Sequence, residues 1–227
     1  MKYHHLKGGG ASHSQKEGDL VMNWLCLGIM FSVMFVGYGP GYGQTLKMSF
    51  SFKKKPPSVA LVYFGGHSDE AHVAHVDQKD QQFSSKLYVG SKGSSIKLKN
   101  SDGIDHNIYA NDKDTGVKFD IGLAKPGAEL SQELSWDEGK VVKIRCMIHP
   151  KMMAYVASIR SKHYKIIEFS KKEKKKALTL DGLPYKNQDV NIWMPKYDPI
   201  ILKSTMLGQP IPLIRKGKEK GTVTLSL

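Results

Sequence analysis

Short stretches in which apolar and polar residues alternate, separated by turn-forming residues, follow one another along most of the chain. Alternation with a period of two places successive side chains on opposite faces and is typical of half-buried β-strands. The pattern predicts strands at 44–52, 58–64, 86–89, 95–98, 106–110, 116–121, 129–135, 141–146, 154–160, 177–180, 190–194 and 222–227. Residues 65–80 are polar and are predicted to be a loop. Strands at this spacing, without long helical periodicity, predict an all-β sandwich or barrel.

The longest apolar run, residues 20–38, precedes the first predicted strand. Its purest part, residues 24–36, is short for a bilayer span and suits the hydrophobic region of a signal peptide. Lysines before it and small residues before Gln44 fit cleavage after residue 43. The competing interpretation is an uncleaved anchor that attaches the chain to a membrane through residues 20–38. Either way, we expect the remainder to be exported to the periplasm or another extracytoplasmic compartment.

Composition indicates a folded chain, and charge limits the kinds of partner that it can bind. The chain has 227 residues, of which 40% are hydrophobic and 24% charged, so a packed core is expected. The formal net charge of +13 favours acidic partners or anionic membranes. The lysine-rich run 171–176 has no interleaved aromatic residues and is interpreted as a solvated turn or strand edge, so we expect no nucleic-acid partner.

Only two cysteines are present, and Cys26 lies inside the apolar run. Removal of that run would leave Cys146 alone. A lone thiol in an oxidising compartment has no intramolecular disulfide partner. Three interpretations are open: the thiol is buried and inert, is paired between chains, or binds a metal.

Candidate metal ligands cluster in the segment VVKIRCMIHPKMM, residues 141–153. Strand alternation points Cys146 inward with the apolar residues that precede it. His149 follows three residues later and Met152 three after that, so a thiolate, an imidazole and a thioether converge from one short loop. A fourth ligand must come from elsewhere, and His106, at the start of a predicted strand, is the best candidate.

Two imidazoles, one thiolate and a weak axial thioether are the ligand set of a type 1 (blue) copper site. Zinc is less favoured, because structural zinc sites usually have more cysteines or histidines without methionine. A Cys/His catalytic pair is disfavoured, because no orienting Asn or Asp is evident. Protein side chains would fill all four positions, so we do not expect an enzyme. Met153 is a second axial candidate, but the spacing favours Met152.

The spacing Cys146-x-x-His149-x-x-Met152, with His106-Asn107 about forty residues earlier, resembles the cupredoxins, most closely the amicyanin-like members. VDQKDQQF, LKNSDGIDHNIY, FDIGLAKPG and CMIHPKMMAYV, all within residues 76–156, resemble plastocyanin-like periplasmic proteins often labelled methylamine-utilisation proteins. The resemblance implies a Greek-key cupredoxin β-sandwich that binds one copper ion through His106, Cys146, His149 and Met152. For Asn107 it implies a hydrogen bond across to the cysteine loop.

The tail has a resemblance of its own. Residues 178–197 resemble the end of longer members of that group, in which a smaller transthyretin-like, carboxypeptidase-regulatory-like β-sandwich follows the copper domain. The predicted organisation is therefore a signal peptide or anchor at 1–43, strands at 44–80 that pair with the tail, a cupredoxin domain at 81–160, and a C-terminal β-rich domain at 161–227.

The resemblance implies transfer of single electrons between periplasmic redox partners, with a port near Pro150 and Lys151. The basic surface favours an acidic cytochrome or dehydrogenase, and we expect a monomer. Two alternatives are copper carriage without electron relay and an interaction module in which copper is secondary. Separately, His67, His72 and His75 could form a second metal site, although a polar surface loop is the favoured interpretation.

Overall fold

The computed structural model describes residues 45–66, 68–180 and 188–227, and these residues form β-strands joined by turns and loops. The predicted all-β class is confirmed. The predicted signal peptide or anchor at 1–43, His67 and residues 181–187 lie outside the described residues. Within the described ranges, no helix is both long enough and apolar enough to cross a membrane.

Nine consecutive strands form a central sandwich of two sheets. They are β3 (Ala74–Lys79), β4 (Gln82–Phe83), β5 (Leu87–Gly90), β6 (Ser95–Asn100), β7 (His106–Asn111), β8 (Lys118–Ala124), β9 (Glu129–Glu133), β10 (Val141–Arg145) and β11 (Met153–Ser158). The strand order is β4-β3-β6-β9 in one sheet and β5-β11-β10-β7-β8 in the other. Side chains that alternate inward from both sheets form one core, which includes Ile96, Ile108, Val142 and Ile144.

The remaining strands form an outer sandwich, the additional β-sandwich expected from the sequence. They are β1 (Leu46–Phe52), β2 (Val59–Phe64), β12 (Tyr164–Glu168), β13 (Lys175–Leu180), β14 (Val190–Trp193), β15 (Ile200–Leu202), β16 (Ile211–Arg215) and β17 (Lys218–Ser226), with a 3-10 turn at Ser204–Met206. Its sheets have the orders β13-β1-β17-β16 and β12-β2-β14-β15. Strands from both ends of the described chain therefore pair here, and the central sandwich is inserted between β2 and β12.

Strand β2 joins the two sandwiches. Its even-numbered residues, including Val62 and Phe64, pack in the core of the outer sandwich. Its odd-numbered residues Val59 and Leu61 pack in a separate buried cluster with β5 and β11 of the central sandwich. A strand covered on both faces needs apolar residues at successive positions, which explains the uninterrupted apolar sequence VALVYF.

The prediction of a loop at residues 65–80 is wrong for the last part of that range, which forms strand β3. Ala74, Val76 and Gln78 are buried on one face of β3. The strand was missed because one of its three inward-facing residues is a glutamine, so four of its six residues are polar or charged. Strands β4, β12, β15 and β16 were also not predicted, whereas the other strands lie within a few residues of their predicted positions.

Candidate metal centre

The end of β10 points a buried thiol into the central sandwich. Val142 and Ile144 face the core, and Cys146 continues the same face immediately after the strand, with 1% of its surface exposed. The following loop closes on itself, because the Met152 N–H donates to the carbonyl of His149 at 2.8 Å and the Cys146 N–H donates to the carbonyl of Met152 at 3.5 Å. This tight turn brings His149 back over the thiol.

Three donor atoms meet at this end of the sandwich. The Sγ atom of Cys146 lies 3.7 Å from Nδ1 of His106 and 3.8 Å from Nδ1 of His149. The two Nδ1 atoms are 3.1 Å apart. Among the described residues, His106, Cys146 and His149 are the group of histidine, cysteine and acidic side chains placed to bind a metal ion. The structure therefore brings together three of the four predicted ligands at donor-atom distance.

His106 is fully buried at the start of β7, and a carboxylate fixes its ring. Its Nε2 atom lies 3.0 Å from Oδ2 of Asp102. An ionised carboxylate only accepts hydrogen bonds, so Nε2 carries the proton and is the hydrogen-bond donor to Asp102. The Nδ1 atom is then left with its lone pair, directed toward Cys146 and His149. A hydrogen-bonded carboxylate also raises the donor strength of a ligating imidazole.

Asp102 is itself held in place by backbone groups. The Gln81 N–H donates to Asp102 Oδ2 at 2.7 Å, and the Gly103 N–H donates to Oδ1 at 2.8 Å. The pKa of Asp102 is lowered, first by the hydrogen bond from Gln81 and next by that from His106, so the carboxyl group stays ionised. Asp102 was not predicted as part of the site, although it lies within the segment LKNSDGIDHNIY that carries the resemblance.

Asn107 connects three elements around the site. Its Nδ2 group donates to Oδ1 of Asp120 at 2.6 Å and to the carbonyl of Gly122 at 3.1 Å, both on β8. These bonds fix the amide orientation, so Oδ1 faces the ligand loop and accepts the Met147 N–H at 3.3 Å. Asn107 thus lies where the resemblance implied, bridging the first histidine to the cysteine loop.

Two further buried polar residues, neither of them predicted from the sequence, support the approach to His106. The Gln78 side chain donates to the carbonyl of Asn107 at 3.2 Å. The Asn100 side chain donates to the carbonyls of Ile104 and Ala124 at 2.8 and 2.9 Å. Buried side-chain amides stabilise the backbone whose carbonyl groups they satisfy, so Asn100 holds the turn that precedes His106 and Gln78 holds the residue that follows it.

The two adjacent methionines have opposite environments. Met152 is 3% exposed and belongs to the same buried cluster as Cys146. Met153, the first residue of β11, is 40% exposed, and its sulfur lies 3.9 Å from the hydroxyl of Tyr155. Strand alternation therefore directs Met152 toward the core and Met153 away from it.

The donor atoms fit a metal ion of the expected kind. Atoms bound about 2.0–2.3 Å from one ion at trigonal or tetrahedral angles lie about 3.3–3.8 Å from one another. The three observed separations of 3.1, 3.7 and 3.8 Å are close to that range. Two imidazoles and one thiolate, with the buried Met152 in the same cluster, suit copper better than zinc.

The histidines proposed as a second metal site do not form such a group among the described residues. His72 places its Nε2 atom 2.9 Å from the carbonyl of Ser161 and packs its ring edge against Tyr164. His75 lies on the outward face of β3. His67 lies outside the described residues.

Comparison with known proteins finds similarity only among solved structures. No protein-family model and no curated protein matches the chain. A purple cupredoxin from Nitrosopumilus maritimus is 20% identical, with a TM-score of 0.33 over 37% of this chain and 98% of that one. Amicyanin from Paracoccus versutus is 11% identical, with a TM-score of 0.33 over 42% of this chain and 97% of that one.

A copper-containing nitrite reductase from Thermus scotoductus also matches, at 17% identity and a TM-score of 0.33, over 40% of this chain and 23% of that one. The matched structures include cupredoxins, the family that the sequence resembles. The function proposed for this chain depends on its own donor atoms and not on these similarities.

Proposed function

We propose that the chain is a type 1 copper protein that transfers single electrons between redox partners. The convergence of His106 Nδ1, Cys146 Sγ and His149 Nδ1 at one end of the central sandwich, with His106 and Cys146 buried, is the observation that supports this most directly. With Met152, these residues would hold one copper ion, which supplies a reversible one-electron couple between Cu(II) and Cu(I). Four protein ligands leave no position for a substrate, so we propose no enzymatic activity.

The surrounding chain limits how far the donor atoms can move. Asp102 orients His106, and Asn107 ties β8 to the ligand loop. Cys146 lies among apolar side chains of the core, which exclude water from the thiolate. A rigid and dry donor set changes little between two oxidation states, so little reorganisation accompanies electron transfer.

His149 offers the shortest route to a partner. Its ring is only partly buried, whereas His106 is fully buried. The side chains of Met147 and Ile148 beside it are exposed, and Leu123, which pairs with Asn107 across β7 and β8, is exposed as well. Exposed apolar side chains around the ligand loop would let a partner surface approach closely and displace water.

The proposed partner is an acidic redox protein in an extracytoplasmic compartment. We propose that the chain itself acts as a monomer. The formal net charge of +13 would steer such a partner, and added salt would slow the association. The apolar run 20–38 supports export, either by a cleaved signal or by a retained anchor.

The absorption spectrum of the Cu(II)-loaded chain tests the metal centre. We expect one copper ion per chain and an intense sulfur-to-copper charge-transfer band that Cys146→Ser abolishes. Met153→Leu is the matched control and should leave the band in place, because its side chain faces away from the core. A loaded protein without the band, or a band that survives Cys146→Ser, would contradict the proposal.

Copper carriage is the second candidate function. Exposed thioethers at Met147 and Met153 flank the ligand loop, and soft sulfur ligands favour Cu(I). The self-exchange rate of the loaded protein separates the two functions. Fast exchange is expected for an electron carrier, whereas slow exchange with ready transfer of Cu(I) to a competing thiolate would favour carriage.

A further inference from the structure

A strongly basic recess lies in the outer sandwich, distinct from the candidate metal centre. Its volume is about 500 Å³. The charged residues that line it are Lys54, Lys55, Arg215, Lys216, Lys218 and Lys220. Tyr197 completes the lining, and no acidic residue is part of it in the portion of the chain that the structure describes. Six formal positive charges therefore surround one concavity.

Close backbone packing brings two separate segments to this recess. Strands β1 and β17 pair up to Phe52 and Gly221, and beyond this pair the Lys53 N–H donates to the carbonyl of Lys220 at 2.8 Å. A Cβ atom on Gly221 would overlap the carbonyl oxygen of Ser51, so the approach requires glycine here. The lysines that come after β1 are consequently held against those of the β16–β17 hairpin.

The hairpin turn itself is tight. Arg215 pairs with Lys218, and the two residues between them, Lys216 and Gly217, have φ angles of 52° and 67°. Two-residue turns of this conformation favour Asn-Gly, and a lysine in the left-handed region is uncommon. The turn thus adds another cation to the recess at a position where a smaller residue is normally preferred.

The acidic residue in this hairpin does not neutralise the recess. Glu219 lies between Lys218 and Lys220, and strand alternation directs it to the opposite face. There it forms an ion pair with Lys53 at 2.7 Å. Neither member of that pair lines the recess, so the six cations remain without an acidic partner among the lining residues.

Arg215 is the most firmly placed of the cations. Its guanidinium group hydrogen-bonds to the hydroxyl of Tyr197, which is largely buried. The ring of Tyr197 packs in turn on Phe52, with ring centroids 6.5 Å apart. A guanidinium group fixed in this way presents its other N–H groups in a planar fork that matches phosphate oxygens.

We infer that this recess binds a compact oligophosphate anion, a ligand with two or more linked phosphate groups. A concave surface lined by one sign of charge concentrates the electrostatic potential, and a multivalent anion would relieve the repulsion among the lysines. The volume falls in the range of about 300–1,000 Å³ typical of small-molecule sites. A flat bilayer surface could not reach cations on both sides of a recess, which favours a free anion over a lipid headgroup. This binding is independent of the copper site.

Calorimetric titration of the full chain with sodium tripolyphosphate tests the inference. Copper-free protein is used, so that the anion cannot act by chelating the metal, and about 0.15 M salt screens non-specific attraction. The triple variant Lys54→Gln/Lys55→Gln/Lys218→Gln should raise the dissociation constant at least tenfold. Arg215→Lys, which keeps the charge but removes the planar fork, should weaken binding by a smaller factor.

The matched control is Lys171→Gln/Lys172→Gln/Lys203→Gln, which removes the same charge from exposed positions of the same sandwich outside the recess. Its dissociation constant should stay within twofold of wild type. Tripolyphosphate should also raise the melting temperature of wild type and control but not of the recess variant. Equal weakening in both triple variants, or no binding by wild type, would overturn the inference.

Sedimentation with phosphatidylcholine vesicles containing phosphatidic acid distinguishes the source of the phosphate groups. We expect weak vesicle binding alongside clear tripolyphosphate binding. Vesicle binding that the recess variant loses, in a protein that does not bind tripolyphosphate, would overturn the assignment to a free anion and indicate headgroups instead.

Discussion

At the scale of single residues, Asp102 determines which nitrogen of His106 is free to bind a metal. Its carboxylate accepts the Nε2–H bond at 3.0 Å, so Nδ1 keeps its lone pair. We expect Asp102→Asn to reduce copper affinity about 10–100-fold, the usual effect of removing a hydrogen-bonded carboxylate behind a ligand. The reduction potential should rise, because a less basic imidazole stabilises Cu(II) less. Copper competition titrations and potentiometry measure both effects.

Asp105→Asn is the control for this substitution, because it removes the same charge from an exposed side chain next to His106. It should change affinity and potential much less. Equal shifts in the two variants would mean that Asp102 acts only through its charge at a distance and not through the hydrogen bond.

The candidate metal ligands were easier to predict than the residues that orient them. Cys146, His149 and Met152 have regular spacing in one loop, and their residue types are specific for soft metals. Asp102 and Gln78 have no such spacing, since their partners are set by loop geometry and by a strand of the opposite sheet. Side-chain hydrogen bonds of this kind depend on tertiary structure, which a local pattern does not contain.

At the scale of strands, Gly221 controls how closely β1 and β17 pair. A Cβ atom there would overlap the Ser51 carbonyl and approach Cα of Phe52 to 2.9 Å. We expect Gly221→Ala to lower the free energy of unfolding by about 1–3 kcal/mol, as overpacking commonly does, with the strands forced apart. Urea denaturation followed by circular dichroism measures the change.

Gly65→Ala is the control, since a Cβ atom at that position would meet its nearest neighbour, the Asp189 carbonyl, at an ordinary 3.8 Å. Its effect should be within about 0.5 kcal/mol. A Gly221→Ala protein as stable as wild type would show that the two strands can separate without loss of other contacts.

Strand β10 was predicted and strands β3 and β16 were missed because of the residues that each contains. Strand β10 alternates buried Val142 and Ile144 with partly exposed lysine and arginine, so its period was evident. Strand β3 buries Gln78 among its inward residues, and β16 includes a proline at Pro212. Hydrophobic periodicity therefore predicted the all-β class better than the complete set of strands.

At the scale of the whole molecule, the two sandwiches share a buried cluster that includes Leu61 of β2, Leu87 of β5 and Ala157 of β11. Strand β2 also pairs with β12 and β14. Deleting residues 163–227 would remove both partners of β2 and expose this cluster. Loss of copper binding in such a truncation would consequently report unfolding of the shared cluster as well as loss of the outer sandwich.

A point substitution in the shared cluster tests the coupling more cleanly. Leu61→Ala removes a fully buried side chain, which typically costs about 2–5 kcal/mol. In urea, we expect the copper charge-transfer band and the far-ultraviolet circular dichroism to shift together to a lower midpoint, because the cluster belongs to both sandwiches. Ile201→Ala, at a residue 54% exposed, should change either midpoint little. If Leu61→Ala shifted the dichroism midpoint but left the copper band at its wild-type midpoint, the two sandwiches would unfold independently. The packing of β2 would then stabilise the outer sandwich only.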